Sequence, residues 1–278
     1  MTVTPLSTLL ARPEHASRGR NLIAVASGKG GVGKTWLAIT LAHALADAGQ
    51  RILLFDGDLG LANVDIQLGL MPKHDLGGVL AGRFPLSEAV VRFEDGGFDI
   101  IAGRSGSGQL ANVPSQRLQI LADDLRSLAH DYDHVIVDLG AGVDRTVRQL
   151  SRMAPTCAVV TTDEPTSLTD AYAFVKVTHL DKPGSDIRIV VNMASSLRAG
   201  ERTYNTLNKA CEGFLKISPP LLGVVRRDSS VRDAIRGQTS ILTRCPSSES
   251  AIDVHAIAAR LTGGDGADVF PALRGTNR

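Results

Sequence analysis

The chain has 278 residues and a formal net charge of +1, with 43% hydrophobic and 21% charged residues. These values exclude an intrinsically disordered chain and give no global pull toward nucleic acid; at this length a folded chain buries roughly 75% of its unfolded surface. No segment approaches the ~20 apolar residues that span a bilayer, and the first fifteen residues lack the basic start and apolar run of a secretion signal. The expected location is cytoplasmic, with any contact at the inner membrane or a cell pole peripheral. Cys157, Cys211 and Cys245 are far apart and lack C-x-x-C spacing, so they read as packed, reduced thiols.

In chain order, residues 1–20 carry Pro5, Pro13, Arg12, Arg18 and Arg20 and read as a flexible arm in which Leu6, Leu9 and Leu10 form one helical turn. From Leu22 onward short apolar runs alternate with amphipathic stretches. That alternation predicts a doubly wound α/β fold, a mostly parallel sheet with helices on both faces. Strands are expected at 22–27, 51–55, 98–102, 134–138, 156–161, 187–191 and 221–225. Because these runs are continuous rather than alternating, all are expected to be central strands. Leu37, Leu41 and Leu45 recur at helical spacing and Gly49 ends the first helix. Further helices are expected near 115–130, 144–153, 166–180, 201–215, 230–237 and 248–262. No linker divides residues 21–262, which form one domain. Gly263, Gly264 and Gly266 then open a tail, 263–278, in which Pro271 interrupts Val269, Phe270 and Leu273; it reads as flexible rather than as a membrane-inserting helix.

Residues 22–35, LIAVASGKGGVGKT, join an apolar strand to a glycine-rich turn and a helix start, with G-x-x-x-x-G-K-[ST] spacing filled by Gly28, Gly33, Lys34 and Thr35. Gly28, Gly30, Gly31 and Gly33 let successive backbone N–H groups converge on phosphate oxygens, and the helix adds the positive end of its dipole. Lys34 is expected to reach the β- and γ-phosphates and the Thr35 hydroxyl to ligate Mg²⁺. Two acidic strand ends point at the same place. Asp56 and Asp58 follow strand 51–55, where carboxylates beside a phosphate loop need metal, water or a lysine as partner. Asp138 closes HVIVD, residues 134–138, as a carboxylate that holds a magnesium hydration shell, and Gly140 and Gly142 follow as a loop able to move with the γ-phosphate.

The run K-G-G-V-G-K-T, with Lys29 directly after the first glycine, resembles the deviant Walker A loop of the MinD/ParA family of dimerising ATPases. The resemblance implies a P-loop fold of MinD type, ATP and Mg²⁺ as ligands, and nucleotide contacts that include Val32 and Trp36. It gives Lys29 the role of crossing to the partner subunit's nucleotide, Asp58 that of orienting the attacking water, and Asp56 a place in the Mg²⁺ and lysine network. Asn63 and Asp65 are then expected on the dimer face. Asn192, at the end of strand 187–191, corresponds to the family's adenine-binding asparagine. In Gly223-Val224-Val225-Arg226-Arg227-Asp228 an arginine replaces the family's usual proline, so either the Arg226 plane stacks on adenine or that wall is reshaped.

Residues 164–172, E-P-T-S-L-T-D-A-Y, read locally as a Pro165 turn and a helix capped by Thr166 or Ser167. The run is similar to the FlhG (FleN) group of flagellar-number regulators within that family, as is VRDAIRGQTSILTRCPSSESA near the end. This implies an ATP-dependent homodimer and partners from flagellar assembly or regulation, a FlhF-like GTPase or a transcription regulator. The D-Q-A-x-x-L-R arm that FlhG proteins use on FlhF has no match in residues 1–20. The alternatives are a ParA-like DNA-positioning ATPase using Arg226, Arg227, Arg232, Arg236 and Arg244, and a MinD-like regulator of the division site at the membrane.

Overall fold

The computed structural model describes residues 21–103 and 113–263, so the expectations for the arm at 1–20 and for the tail beyond Gly263 lie outside the described residues. The chain runs β1 (Leu22–Ser27), α1 (Lys34–Asp47), β2 (Ile52–Gly57), α2 (Val64–Leu68), α3 (Leu76–Leu80), β3 (Val90–Phe93) and β4 (Phe98–Ile101). It continues with α4 (Ser115–Leu128), β5 (His134–Ala141), α5 (Arg145–Ser151), β6 (Thr156–Thr161) and α6 (Pro165–Asp181). The last elements are β7 (Asp186–Ala194), α7 (Leu197–Ala210), β8 (Leu221–Arg226), α8 (Ser229–Arg236), α9 (Ile241–Arg244) and α10 (Glu249–Leu261).

The strands form one eight-stranded sheet in the order β3-β4-β2-β5-β1-β6-β7-β8, in which β3 alone is antiparallel. One core layer packs Leu118, Leu121 and Leu125 of α4, Leu150 of α5, Phe174 of α6 and Leu207 of α7 on one face. The other packs Leu37, Leu41 and Leu45 of α1 with Val254 and Ile257 of α10 on the opposite face. Strands covered on both faces read as unbroken apolar runs, as β1 does with all six residues buried. In such sheets ligands gather beyond the carboxyl ends of the strands. Here the parallel register sets Asp56 of β2 beside Asp138 of β5, and Asp138 beside Val25 of β1, directly below the phosphate loop.

The expected elements are present, with six differences. β5 and β7 run past their expected ends, to Ala141 and Ala194, so Asp138, Gly140 and Asn192 lie within strands rather than at or beyond their ends. β8 is an edge strand, not a central one; α7 and α10 cover its faces, and burial of the faces rather than rank in the sheet produces its apolar run. The antiparallel edge strand β3 and the short helices α2, α3 and α9 are additional. Helix α1 is not amphipathic: every residue from Lys34 to Leu45 is buried, because α10, α9 and α2 cover the side facing away from the sheet. The helix expected at 201–215 starts earlier, where Ser196 caps it by accepting from the Ala199 N–H, and ends in a π-turn at Cys211–Leu215. Finally, neither Thr166 nor Ser167 caps α6. Glu164 holds the cap position and Pro165 is the first helical residue, which leaves both hydroxyls inside the first turn and free for other partners.

Candidate nucleotide site

The phosphate loop, residues 28–33, leaves β1 and enters α1 with Gly31 and Gly33 at φ of 80° and 83°, values that favour glycine. Gly28 is required for a different reason: a Cβ there would run into the backbone carbonyl of Asp170, so the loop lies directly on the backbone of α6. A Cβ at Gly33 would strike the Asn192 side chain. The expected phosphate-binding residues Gly28, Gly30, Gly31, Val32, Gly33, Lys34 and Thr35 are thus one continuous turn, open to solvent at Gly30 and Gly31.

Beneath it the Lys34 ammonium lies 2.7 Å from Asp138 Oδ1 and 3.5 Å from the Thr35 hydroxyl. Lys34 is 7% exposed and Asp138 fully buried. Burial pushes the Asp138 carboxyl above its ordinary range, and Lys34 opposes that shift. Asp56 is equally buried, and desolvation together with the Asp138 charge pushes it up to about 7. Its oxygens accept the backbone N–H groups of Asp58, Asn63 and Val64 at 3.1 to 3.2 Å. Asp56 is therefore the hub that shapes the loop from β2 into α2. Asp138 Oδ2 is buried with no partner, an orphaned acceptor that suits a cation's hydration shell. Among the described residues no three His, Cys, Asp or Glu side chains gather to hold a metal, so a bound ion needs phosphate and water ligands, as Mg²⁺ does.

Asp58, the end of β5 and the turn that follows it enclose a cavity of about 270 Å³ lined by Asp58, Gly140, Ala141, Asp144 and Thr146. Gly140 keeps this space open, since a Cβ would sit 3.4 Å from Asp58 Oδ1. Gly142, at φ 95°, donates its N–H to the Ser27 carbonyl at 2.9 Å, which ties this turn to the base of the phosphate loop. On the other side of the loop, Gly33, Trp36, Asn192, Met193 and Arg226 line a cavity of about 360 Å³. All of the expected residues on the base side thus meet in one place. The Asn192 amide donates to the Val32 carbonyl at 2.8 Å and its oxygen accepts from Met193 N–H, so it braces the loop. The Arg226 guanidinium is held by Asp253 at 2.9 Å and Glu249 at 2.6 Å. Of the two alternatives for Arg226, this geometry favours a reshaped wall over a stacking plane.

Lys29 leaves the loop sideways. Its ammonium lies 2.6 Å from Glu164 Oε2 and 2.8 Å from the Thr166 hydroxyl, and it holds the Glu164 carboxyl below the usual range. Ser167 meets the Thr161 hydroxyl and the Thr162 N–H at 3.0 Å, tying the helix to the end of β6. The E-P-T-S run therefore grips the phosphate loop through Lys29, and the next turn of α6, at Asp170, lies against Gly28. Nothing in the local sequence gives Glu164 and Thr166 this role; the one signal for it is the pairing of Glu164-Pro165-Thr166-Ser167 with a second loop lysine. Burial pushes the Cys157 thiol up to about 12 and Cys211 to about 11, as expected of packed, inert thiols.

The model of the CobQ/CobB/MinD/ParA nucleotide binding domain matches residues 23–241. This chain belongs to that family. It is 37% identical over 240 residues to the antiactivator FleN of Pseudomonas aeruginosa, covering 86% of this chain and 85% of FleN. It is 28% identical over 240 residues to the flagellum site-determining protein YlxH of Helicobacter pylori, covering 86% and 81%. The septum site-determining protein MinD of Pyrococcus horikoshii, solved with Mg-ADP, superposes with a TM-score of 0.75 at 26% identity over 89% of this chain and 99% of that one. The chain is an ATPase of the MinD/ParA family, with ATP and Mg²⁺ as its ligands. Among the described residues no helix is long and apolar enough to cross a membrane.

Proposed function

We propose that this chain is an ATP-driven dimerising switch of FlhG type that regulates flagellar number or placement through protein partners. The observation that carries the reading is the position of Lys29: its ammonium leaves its own phosphate loop for a partly exposed pair with Glu164, while Lys34 fills the space beneath that loop. A lysine so placed is suited to a second nucleotide across an interface, and the likeness to FleN and YlxH supplies the flagellar context.

In this reading the N–H groups of residues 28–35 and the Lys34 ammonium bind the phosphates; Thr35 and Asp138 would hold Mg²⁺, which would neutralise phosphate charge, and Asp56 shapes the adjacent turn. Asp58 orients water in the cavity it shares with Gly140, and Lys29 leaves Glu164 to meet the partner's nucleotide. Hydrolysis relaxes the 140–144 turn and dissolves the dimer. Arg226, counted toward a DNA surface, is engaged by Asp253 and Glu249, which weakens the ParA-like alternative. The test replaces Lys29 by alanine in the organism that carries the chain, with flagella counted by electron microscopy and hydrolysis measured on purified protein. Lost hydrolysis with altered flagellar number or placement supports the reading; normal turnover or unchanged flagellation contradicts it.

A further inference from the structure

A groove of about 530 Å³ runs between α4 and α5, away from the nucleotide, lined by Gln119, Arg126, Arg145, Arg148, Gln149 and Arg152. Arg145, Arg148, Gln149 and Arg152 follow i, i+3, i+4, i+7 spacing and so share one face of the helix. Arg148 grips Asp181 of α6 through two bonds of 2.7 and 2.6 Å, Arg152 reaches the same carboxylate at 3.1 Å, and Arg126 pairs with Asp123 at 2.6 Å. Four guanidiniums thus face two carboxylates. Each guanidinium has five N–H donors, so these pairs fix the heads and leave donors unspent. The Arg145 side chain is exposed and makes no ion pair or hydrogen bond among the described residues.

From this arrangement we infer that the groove docks an acidic, extended segment of a partner protein, with an affinity set by the bound nucleotide; the inference rests on the switch reading above. Charge complementarity selects carboxylates, which guanidinium forks bind in bidentate fashion. Protein is favoured over nucleic acid by two features. Among the described residues no aromatic side chain lines the groove to stack a base. The amides of Gln119 and Gln149 are oriented by donating to Asp123 and to the Ser115 carbonyl, which leaves their oxygens to accept a peptide N–H and to oppose phosphate.

Coupling to nucleotide follows from the chain path. Asp144 caps α5 by accepting from the Thr146 and Val147 N–H groups at 2.8 and 3.0 Å, and it also lines the cavity that holds Asp58 and Gly140. Arg145 is the next residue. Any shift of the 140–144 turn is therefore delivered to the arginine face.

The test uses the full chain and a fluorescein-labelled oligoglutamate peptide, read by polarisation in Mg·ATP and in Mg·ADP, with Arg145→Glu and Arg152→Gln made singly and together. Binding tighter in ATP than in ADP, weakened about tenfold or more in the double variant at unchanged melting temperature, is the expected result. Unchanged binding in the double variant, equal binding in both nucleotides, or labelled duplex DNA bound in its place and lost in the same variant would each overturn it. Light scattering on the same samples separates the two failures. A wild-type dimer in ATP without groove-dependent binding sinks only this inference, whereas absence of the ATP dimer sinks the switch reading itself.

Discussion

Replacing Lys34 by methionine keeps the length of the side chain and removes the cation that Asp138 is bonded to. Two fully buried carboxylates, Asp56 and Asp138, then sit side by side across β2 and β5. Breaking a buried pair from one side costs about 3–5 kcal/mol, a large share of the roughly 5–15 kcal/mol that holds a domain together. A proton can relieve the strain, because burial already raises the folded-state pKa of both acids. The sign follows from linkage. A carboxyl raised in the fold contributes stability that is present at low pH and is lost as pH rises through its folded value, about 7 for Asp56, with a slope of at most about 1.4 kcal/mol per pH unit per proton. The variant is therefore expected to be far weaker than wild type near pH 8 and to recover much of the deficit near pH 5. Urea unfolding of both proteins without nucleotide, at about those two pH values, reads this directly. His43, His134 and His255 are all lowered by burial and loosen the fold in acid, but they do so in both proteins and cancel in the difference. A cost that is the same at both pH values, or absent at the higher one, would refute the assignment of Lys34 as the counter-ion of this acidic pair.

Two further outcomes follow from the geometry around the loop. Gly28→Ala forces a methyl against the Asp170 carbonyl and is expected to lower stability by about 1–3 kcal/mol and to displace the loop from α6. A variant with wild-type melting temperature and ATP affinity would remove that contact from the account. Trp36 is the single tryptophan of the chain and lines the cavity shared with Asn192, so its emission is expected to change on binding ATP or ADP. An unchanged spectrum at saturating nucleotide would place the base elsewhere.

Much of this architecture was legible in the chain because strands buried on both faces leave unbroken apolar runs, and because phosphate binding needs glycines, a lysine and a hydroxyl at fixed spacing. Asp56 and Asp138 were legible for the same reason: a charged residue ending an apolar run needs a partner. What was not legible depends on contacts distant in sequence. The edge strand β3 has four residues, only Phe93 of them buried, and it forms because β4 offers a free edge, not because its own pattern demands it. Helices α2 and α3, five residues each, owe their place to carboxylates outside them: Asp56 receives the Val64 N–H and Asp75 the Gly78 N–H. The grip of Glu164 and Thr166 on Lys29 spans more than 130 residues of chain, and local propensity carries no trace of it. The tether of Arg226 to Asp253 and Glu249 is of the same kind, a reminder that an arginine beside a pocket can belong to its wall.

The central claim, that nucleotide state sets assembly, is tested most directly by the solution mass of Asp58→Ala, measured by light scattering in Mg·ATP and again in Mg·ADP. Asp58 is assigned to hydrolysis and not to binding, so the variant is expected to hold ATP and to run as a dimer in ATP and as a monomer in ADP. A monomer in both nucleotides would contradict the account, leaving Lys29 on Glu164 as a structural ion pair and the chain as an ATPase that does not signal through a dimer.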